Sequence, residues 1–130
     1  MFELITTSFS NIIYVFCAFS LVIFIHEFGH FYVGKSCGIG VNEFSIGFGP
    51  KLFWFKDSSG VLWKICLLPF GGFVKFEGDL DPSSLSRKKD NSINNLNHFS
   101  NATILSRALT VSAGPLANFL LSIFLFSFII

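Results

Sequence analysis

Two cation-free apolar stretches decide what this chain can fold into. Residues 1–34 and 108–130 contain no Lys or Arg; all nine basic residues fall between Lys35 and Arg107. From Asn11 to Ile25 the sequence is almost uninterruptedly apolar, and the run continues through His26 to Val33. The second stretch, Ala108 to Ile130, is 23 largely apolar residues. A helix needs about 20 such residues to cross a bilayer, so residues 1–34 and 107–130 are each expected to form a transmembrane helix. Only 13% of residues are charged, about half the share in a soluble domain, and mean hydropathy is +0.64. Basic residues collect on the cytoplasmic side of membranes. The loop 35–107 is therefore expected in the cytoplasm, with both ends crossing away from it. The lipid bilayer is an expected partner; nucleic acid is not.

Met1 to Thr7 carries Glu3 and no basic residue. A secretory leader needs a positive n-region, so the first stretch is expected to stay in the mature protein. Cys17, Cys37 and Cys66 form no C-x-x-C pair and read as free, buried thiols.

Between the apolar stretches, residues 35–78 read as strands. Phe44, Ile46 and Phe48 alternate with Glu43, Ser45 and Gly47, which is the period of a strand. Gly47-Phe48-Gly49-Pro50 is a turn signal, Lys51 to Lys56 a second strand, and Asp57-Ser58-Ser59-Gly60 a hairpin turn. Val61 to Leu68 follows, with Val61, Trp63, Ile65 and Leu67 on one face; Pro69 and Gly71-Gly72 break it before a last strand, Phe73 to Phe76. So apolar a sheet suits the membrane interface or a re-entrant position. Residues 79–106 shift to polar, turn-prone sequence and read as a cytoplasmic linker. Its Arg87-Lys88-Lys89 triplet is either a solvated loop or a contact for anionic headgroups. The Asn101-Ala102-Thr103 sequon is unused on that side of a membrane. The fold class expected is an α-helical integral membrane protein with a small antiparallel β-sheet, two transmembrane helices bracketing it.

His26, Glu27 and His30 carry the chemistry. Residues four apart share a helix face, so His26 and His30 can hold one metal through imidazole nitrogens, and that donor type suits zinc. Glu27 lies one step round the helix. A carboxylate there can take a proton from water polarised by the metal and pass it to the leaving amine. With a midpoint near Leu21, the histidines lie roughly 7 to 13 Å from the bilayer centre at about 1.5 Å per residue. The alternative is a histidine pair satisfied by hydrogen bonds in a helix bundle. Against it, an unpaired ionisable group costs about 2.5 kcal/mol or more at the membrane centre, and one metal provides a partner for all three. Gly29 and Gly34 either admit a close neighbour or are ordinary membrane-helix glycines.

Four motifs in order carry a resemblance: His26-Glu27-Phe28-Gly29-His30, Phe44-Ser45-Ile46-Gly47-Phe48-Gly49-Pro50, Leu68-Pro69-Phe70-Gly71-Gly72-Phe73-Val74-Lys75, and Ala113-Gly114-Pro115-Leu116-Ala117-Asn118-Phe119. From about Leu21 onward the chain resembles the bacterial regulator-of-sigma-E protease branch of the site-2 protease family. The resemblance implies a zinc-dependent intramembrane endopeptidase of the bacterial inner membrane, acting on transmembrane protein substrates in regulated intramembrane proteolysis. It implies His26 and His30 as zinc ligands and Glu27 as the catalytic acid and base. The stretch from Phe44 through Gly47, Gly49, Gly71 and Gly72 would be the membrane-associated hairpin region. An edge strand there would pair with an unwound substrate, or the sheet would be a structural lid. Gly114, Pro115 and Asn118 match the family's G-P-x-x-N motif, with helix packing as the expected role and direct catalysis by Asn118 as the alternative.

The chain departs from the family in three places. The aspartate that supplies the third zinc ligand, in an N-x-x-P-x-x-x-L-D-G pattern, is absent, and no acidic residue follows Asp90. PDZ domains are absent as well. Ala102 stands near where relatives often carry Lys. With an apolar run ending at Ile130, the chain is expected to be an N-terminal portion whose missing helices come from another chain, and to be inactive by itself. The alternative is a catalytically inactive membrane protein from a split or degraded gene that binds substrates or partners through the sheet.

Overall fold

The structure, a computed structural model, describes residues 2–78 and 97–129. Their order is α1 (Phe2–Ser36), β1 (Val41–Lys56), β2 (Leu62–Phe76), one 3-10 turn (Phe99–Asn101) and α2 (Ile104–Ile129). Ser10–Ser36 and Ile104–Ile129 are both long and apolar enough to cross a membrane, with hydropathies of 2.0 and 1.8. Many of their large apolar side chains are exposed, among them Tyr14, Val15, Phe119, Leu120 and Phe126. Lipid or further helices, rather than water, suit such surfaces.

The helix boundaries follow local chemistry. α1 runs two residues beyond the expected end because its cap is at Gly38. That glycine has φ +78°, Gly38 N–H donates to Lys35 O, and Ile39 N–H donates to Gly34 O. This is the paired closure of a left-handed helix cap, and Lys35 in the last turn complements the helix dipole. α2 begins three residues earlier than expected. Thr103 Oγ1 accepts the Ser106 N–H at 3.2 Å, an N-cap bond. The sequon threonine thus has a structural use.

In the sheet, β1 pairs antiparallel with β2 around the Asp57–Gly60 turn, where Gly60 has φ +87° and Asp57 Oδ1 accepts the Ser58 N–H at 2.7 Å. The turn falls where the sequence placed it. The expected breaks at Gly47–Pro50 and at Pro69–Gly72 differ in kind. Both strands run through them, because Phe48 still pairs with Leu68. The chain nevertheless reverses there. Glu43 pairs with Lys75 on one side and Leu62 on the other, and Ile46 with Gly72 and Ile65, while Phe53 also pairs with Ile65. Two bent strands therefore lie as four rows, ordered 72–76, 41–46, 62–66 and 51–56. The inner pair, 43–46 beside 62–65, rises in step, within a sheet whose two strands pair antiparallel as expected. Gly47 at φ +83° and Gly71 at φ +111° supply the backbone angles that such bends need.

Row 41–46 is interior, which explains the burial of both its faces: Phe44 is 0% and Ser45 1% exposed. Phe44 meets Trp63 at 4.5 Å between centroids, and Phe31 at 5.7 Å. Phe24 and Phe31, seven apart on α1, carry this aromatic cluster onto the helix. The other expected face is less complete, since Ile65 and Leu67 are exposed. After the undescribed segment, Asn97 O accepts the Gly40 N–H and Glu77 O accepts the Phe99 N–H. Residues 97–103 are thus fastened beside the sheet, while the linker expectation for 79–96, with Arg87-Lys88-Lys89, lies outside the described residues.

Phe44 is the packing centre of sheet and helix. Phe44→Ala is expected to destabilise the chain by about 3–5 kcal/mol, whereas Phe53→Ala, at a 59% exposed position, changes stability by less than about 0.5 kcal/mol. Thermal unfolding of both variants in detergent micelles checks this.

Candidate metal centre

α1 turns two stripes toward two neighbours. Phe24, Glu27 and Phe31 follow helical spacing on the sheet side, and His26, Gly29 and His30 face α2. Small residues let α2 come close: a side-chain carbon on Gly29 would sit 2.5 Å from the Ala113 carbonyl oxygen and 2.9 Å from the Ala117 Cβ. One on Gly114 would collide with Nε2 of both His30 and His26. The absent side chain of Gly114 is therefore the space in which the two imidazoles sit.

His26 and His30 bring their Nε2 atoms to 3.2 Å, with ring planes crossed at 82°. The other nitrogen of each ring is held by α2. His30 Nδ1 donates to the Thr110 carbonyl at 2.8 Å, and Asn118 Nδ2 lies 3.2 Å from His26 Nδ1. Anchoring of the far nitrogen fixes ring orientation in metal-binding histidines. Two imidazoles converging through Nε2, both oriented from behind, fit a zinc ion as two of its ligands. Among the described residues no group of three His, Cys, Asp or Glu side chains is placed to hold one metal.

Glu27 does not join the pair. It faces a cavity of about 310 Å³ that it lines together with His30, Thr110, Val111, Val74, Phe76 and Phe99. Gly72 brings the sheet against it: a side-chain carbon there would lie 2.9 Å from Glu27 Cγ and 3.3 Å from Ile23 Cγ2. Among the described residues, row 72–76 has a strand neighbour on one side only, the row 41–46, and Val74 and Phe76 form a wall of the cavity.

The other residues singled out by sequence divide by position. Gly72, Gly114 and Asn118 are at the centre. Phe44 is core, and Gly47, Gly49 and Gly71 shape the bends, Gly47 lying against the Leu68 carbonyl and Gly71 against the Phe48 ring. Pro115 lies inside α2 and is exposed. Asn118, expected to pack helices, contacts His26 directly. The Thr110 carbonyl was missed; a backbone oxygen leaves no signal in the residue type, though Thr110 is 1% exposed.

A converging histidine pair with a neighbouring glutamate, set between two apolar helices and a sheet, is the arrangement that the metalloprotease class would require. The chain belongs to peptidase family M50, whose family model matches residues 14–130; this is the site-2 protease family, in the regulator-of-sigma-E protease type. It is 48% identical over 114 residues to a Mesorhizobium japonicum protein named for zinc metalloprotease activity, covering 83% of this chain and 31% of that protein. It is 44% identical over 108 residues to the protease RseP of Yersinia pestis, covering 82% of this chain and 22% of RseP. Metalloprotease MmpA of Caulobacter vibrioides is 35% identical over 125 residues, covering 85% and 31%. The chain thus spans less than a third of the length of these relatives.

Gly114→Ala tests the geometry. The added methyl must displace the histidine rings or part the helices, and overpacking of this kind costs about 1–3 kcal/mol. The variant is expected to unfold at lower temperature in detergent and to lose bound zinc, measured by elemental analysis, while Pro115→Ala keeps its zinc.

Proposed function

We propose that this chain supplies the two-histidine half of a zinc-dependent intramembrane endopeptidase, which cuts transmembrane segments of other membrane proteins in a bacterial inner membrane. The observation that carries the reading is the 3.2 Å approach of His26 Nε2 and His30 Nε2 on a helix apolar enough to cross a membrane. The names of relatives support the protease class, and the clustering of basic residues supports a cytoplasmic loop 35–107.

Zinc, when bound, supplies Lewis acidity toward a peptide carbonyl and a water. This chain's residues do the rest. His26 and His30 would hold the ion through Nε2. Glu27 takes a proton from the attacking water and delivers it to the leaving nitrogen. Gly72 keeps the sheet close enough to Glu27 for a chain lying along row 72–76 to pass the carboxylate. Main-chain pairing at that edge suits an unwound substrate of variable side chains. A third metal ligand comes from helices beyond this chain's described residues, in the same assembly or from another chain.

A second reading has one observation in its favour, the lack of a third donor among the described residues. A non-catalytic membrane protein would then bind substrates or partners through the sheet and leave the motif without metal.

Zinc stoichiometry of detergent-purified chain separates the two. The proposal expects about one zinc per chain in the wild type and in Glu27→Gln, and background alone in the double variant His26→Ala/His30→Ala. No zinc above that background in the wild type favours the second reading. In an assembly that also holds the aspartate helix, Glu27→Gln is expected to slow cleavage by about 10²- to 10⁴-fold without loss of zinc.

A further inference from the structure

The cavity beside Glu27 has walls that proton transfer does not use. Around its volume of about 310 Å³, Val74, Phe76, Phe99 and Val111 offer only hydrocarbon. Three elements supply them: the sheet edge, the 3-10 turn Phe99–Asn101 and α2. Phe76 is fixed, since it is 8% exposed and its ring lies against Gly34 on α1. Phe99 is half-buried and stacks on Phe76, with ring centroids 5.4 Å apart and planes 23° from parallel. Its backbone is tied to the end of the sheet, where Phe99 N–H donates to Glu77 O at 2.7 Å. Yet Phe99 is no member of the aromatic cluster around Phe44. The turn therefore holds a ring at one end of the cavity without building the core. Val111 is 62% exposed and marks the side on which the cavity opens.

The sheet edge would bring a substrate to these walls. Alternate residues of a strand share a face: Gly72 meets Glu27, and Val74 and Phe76 line the cavity. A chain paired to row 72–76 turns every second side chain to that same face, about 4.5–5.5 Å from its cross-strand neighbour. A backbone that passes Glu27 opposite Gly72 thus carries, about 7 Å farther along, a side chain into the space bounded by Phe99. We infer that the cavity is the subsite for one substrate side chain within about two residues of the bond cut, that it selects a bulky apolar side chain, and that the Phe99 ring sets the upper limit of size. The volume suits a single side chain, being at the small end of the roughly 300–1,000 Å³ range of ligand pockets. A lysine there would lose its hydration against four hydrocarbon walls, and an alanine would leave them uncovered. The inference rests on the protease reading above and deepens it by naming the side chain the site favours.

The test uses the full chain in detergent micelles and reads binding rather than turnover. The probe is a single-span peptide with a glycine–asparagine break at its centre and one guest residue beside it: Ala, Leu, Trp, Lys or a photoreactive diazirine analogue of leucine. The photoreactive peptide is expected to cross-link the wild type at Phe99 and Val111, located by mass spectrometry. The Leu peptide is expected to bind at least about 10-fold more tightly than the Ala or Lys peptide. Phe99→Ala is expected to raise the Trp-to-Leu affinity ratio about 10-fold, and Phe99→Trp to lower it. A Phe99 with a purely structural role would move all guests together, and that result overturns the inference. So do cross-links confined to row 51–56 or to the apolar groove lined by Phe28, Tyr32 and Leu116, and so does a failure of every peptide to bind; the wild-type cross-links need no variant to fold. The protease reading is judged separately, by cleavage in an assembly that holds the aspartate helix. Guest-selective binding without cleavage there sinks that reading and leaves the side-chain site. Cleavage that depends on Glu27 but is blind to the guest and to residue 99 sinks the subsite and leaves the reading.

Discussion

The close approach of α2 to α1 is the contact on which the site depends. Apolar helices in lipid gain little from hydrophobic burial against each other, so small residues that permit backbone contact are what join them. Here Gly29 admits Ala113 and Ala117, Gly34 lies against Thr110, and Gly114 leaves room for both imidazoles. The same approach delivers the Thr110 carbonyl and the Asn118 amide to the far nitrogens of the histidine rings. Packing and site geometry are thus one arrangement: a larger residue at Gly114 would open the helix pair and misplace the two imidazoles together.

α1 serves two neighbours because its stripes diverge. Phe24 and Phe31 bury an aromatic face in the sheet around Phe44 and Trp63, while the histidines face α2. Glu27 falls between these functions, beside Gly72 and open to the cavity. A carboxylate beside a metal is useful for proton transfer when it can reach both water and substrate without being a ligand itself. The bends in β1 and β2 place a one-sided row of strand at that point. A straight hairpin of the same length would carry row 72–76 away from Glu27.

Much of this was legible in the residues. The long apolar runs marked both helices, the i, i+4 histidines marked their shared face, and Asp57–Gly60 marked the hairpin turn. The four strand segments were legible too, but not that they stay joined through the glycines. Turn-forming residues signal a change of direction; whether pairing persists through it depends on the partner strand, as with Phe48 and Leu68. The interior position of row 41–46 was equally hidden, since alternation predicts one buried face and Ser45 is as enclosed as Phe44. Asn118 was visible as part of a motif, but its contact with His26 depends on the rotation of α2 about its axis, which the local sequence does not specify.

X-ray absorption at the zinc edge of the zinc-loaded chain tests the central claim most directly, because it identifies the ligand atoms without reference to activity. The account predicts a first shell of nitrogen and oxygen at about 2.0–2.1 Å, with an outer-shell signature of two imidazoles that disappears in His26→Ala/His30→Ala. Scattering from sulfur at about 2.3 Å, which would place the ion on Cys17, Cys37 or Cys66, or a spectrum without imidazole, would contradict it.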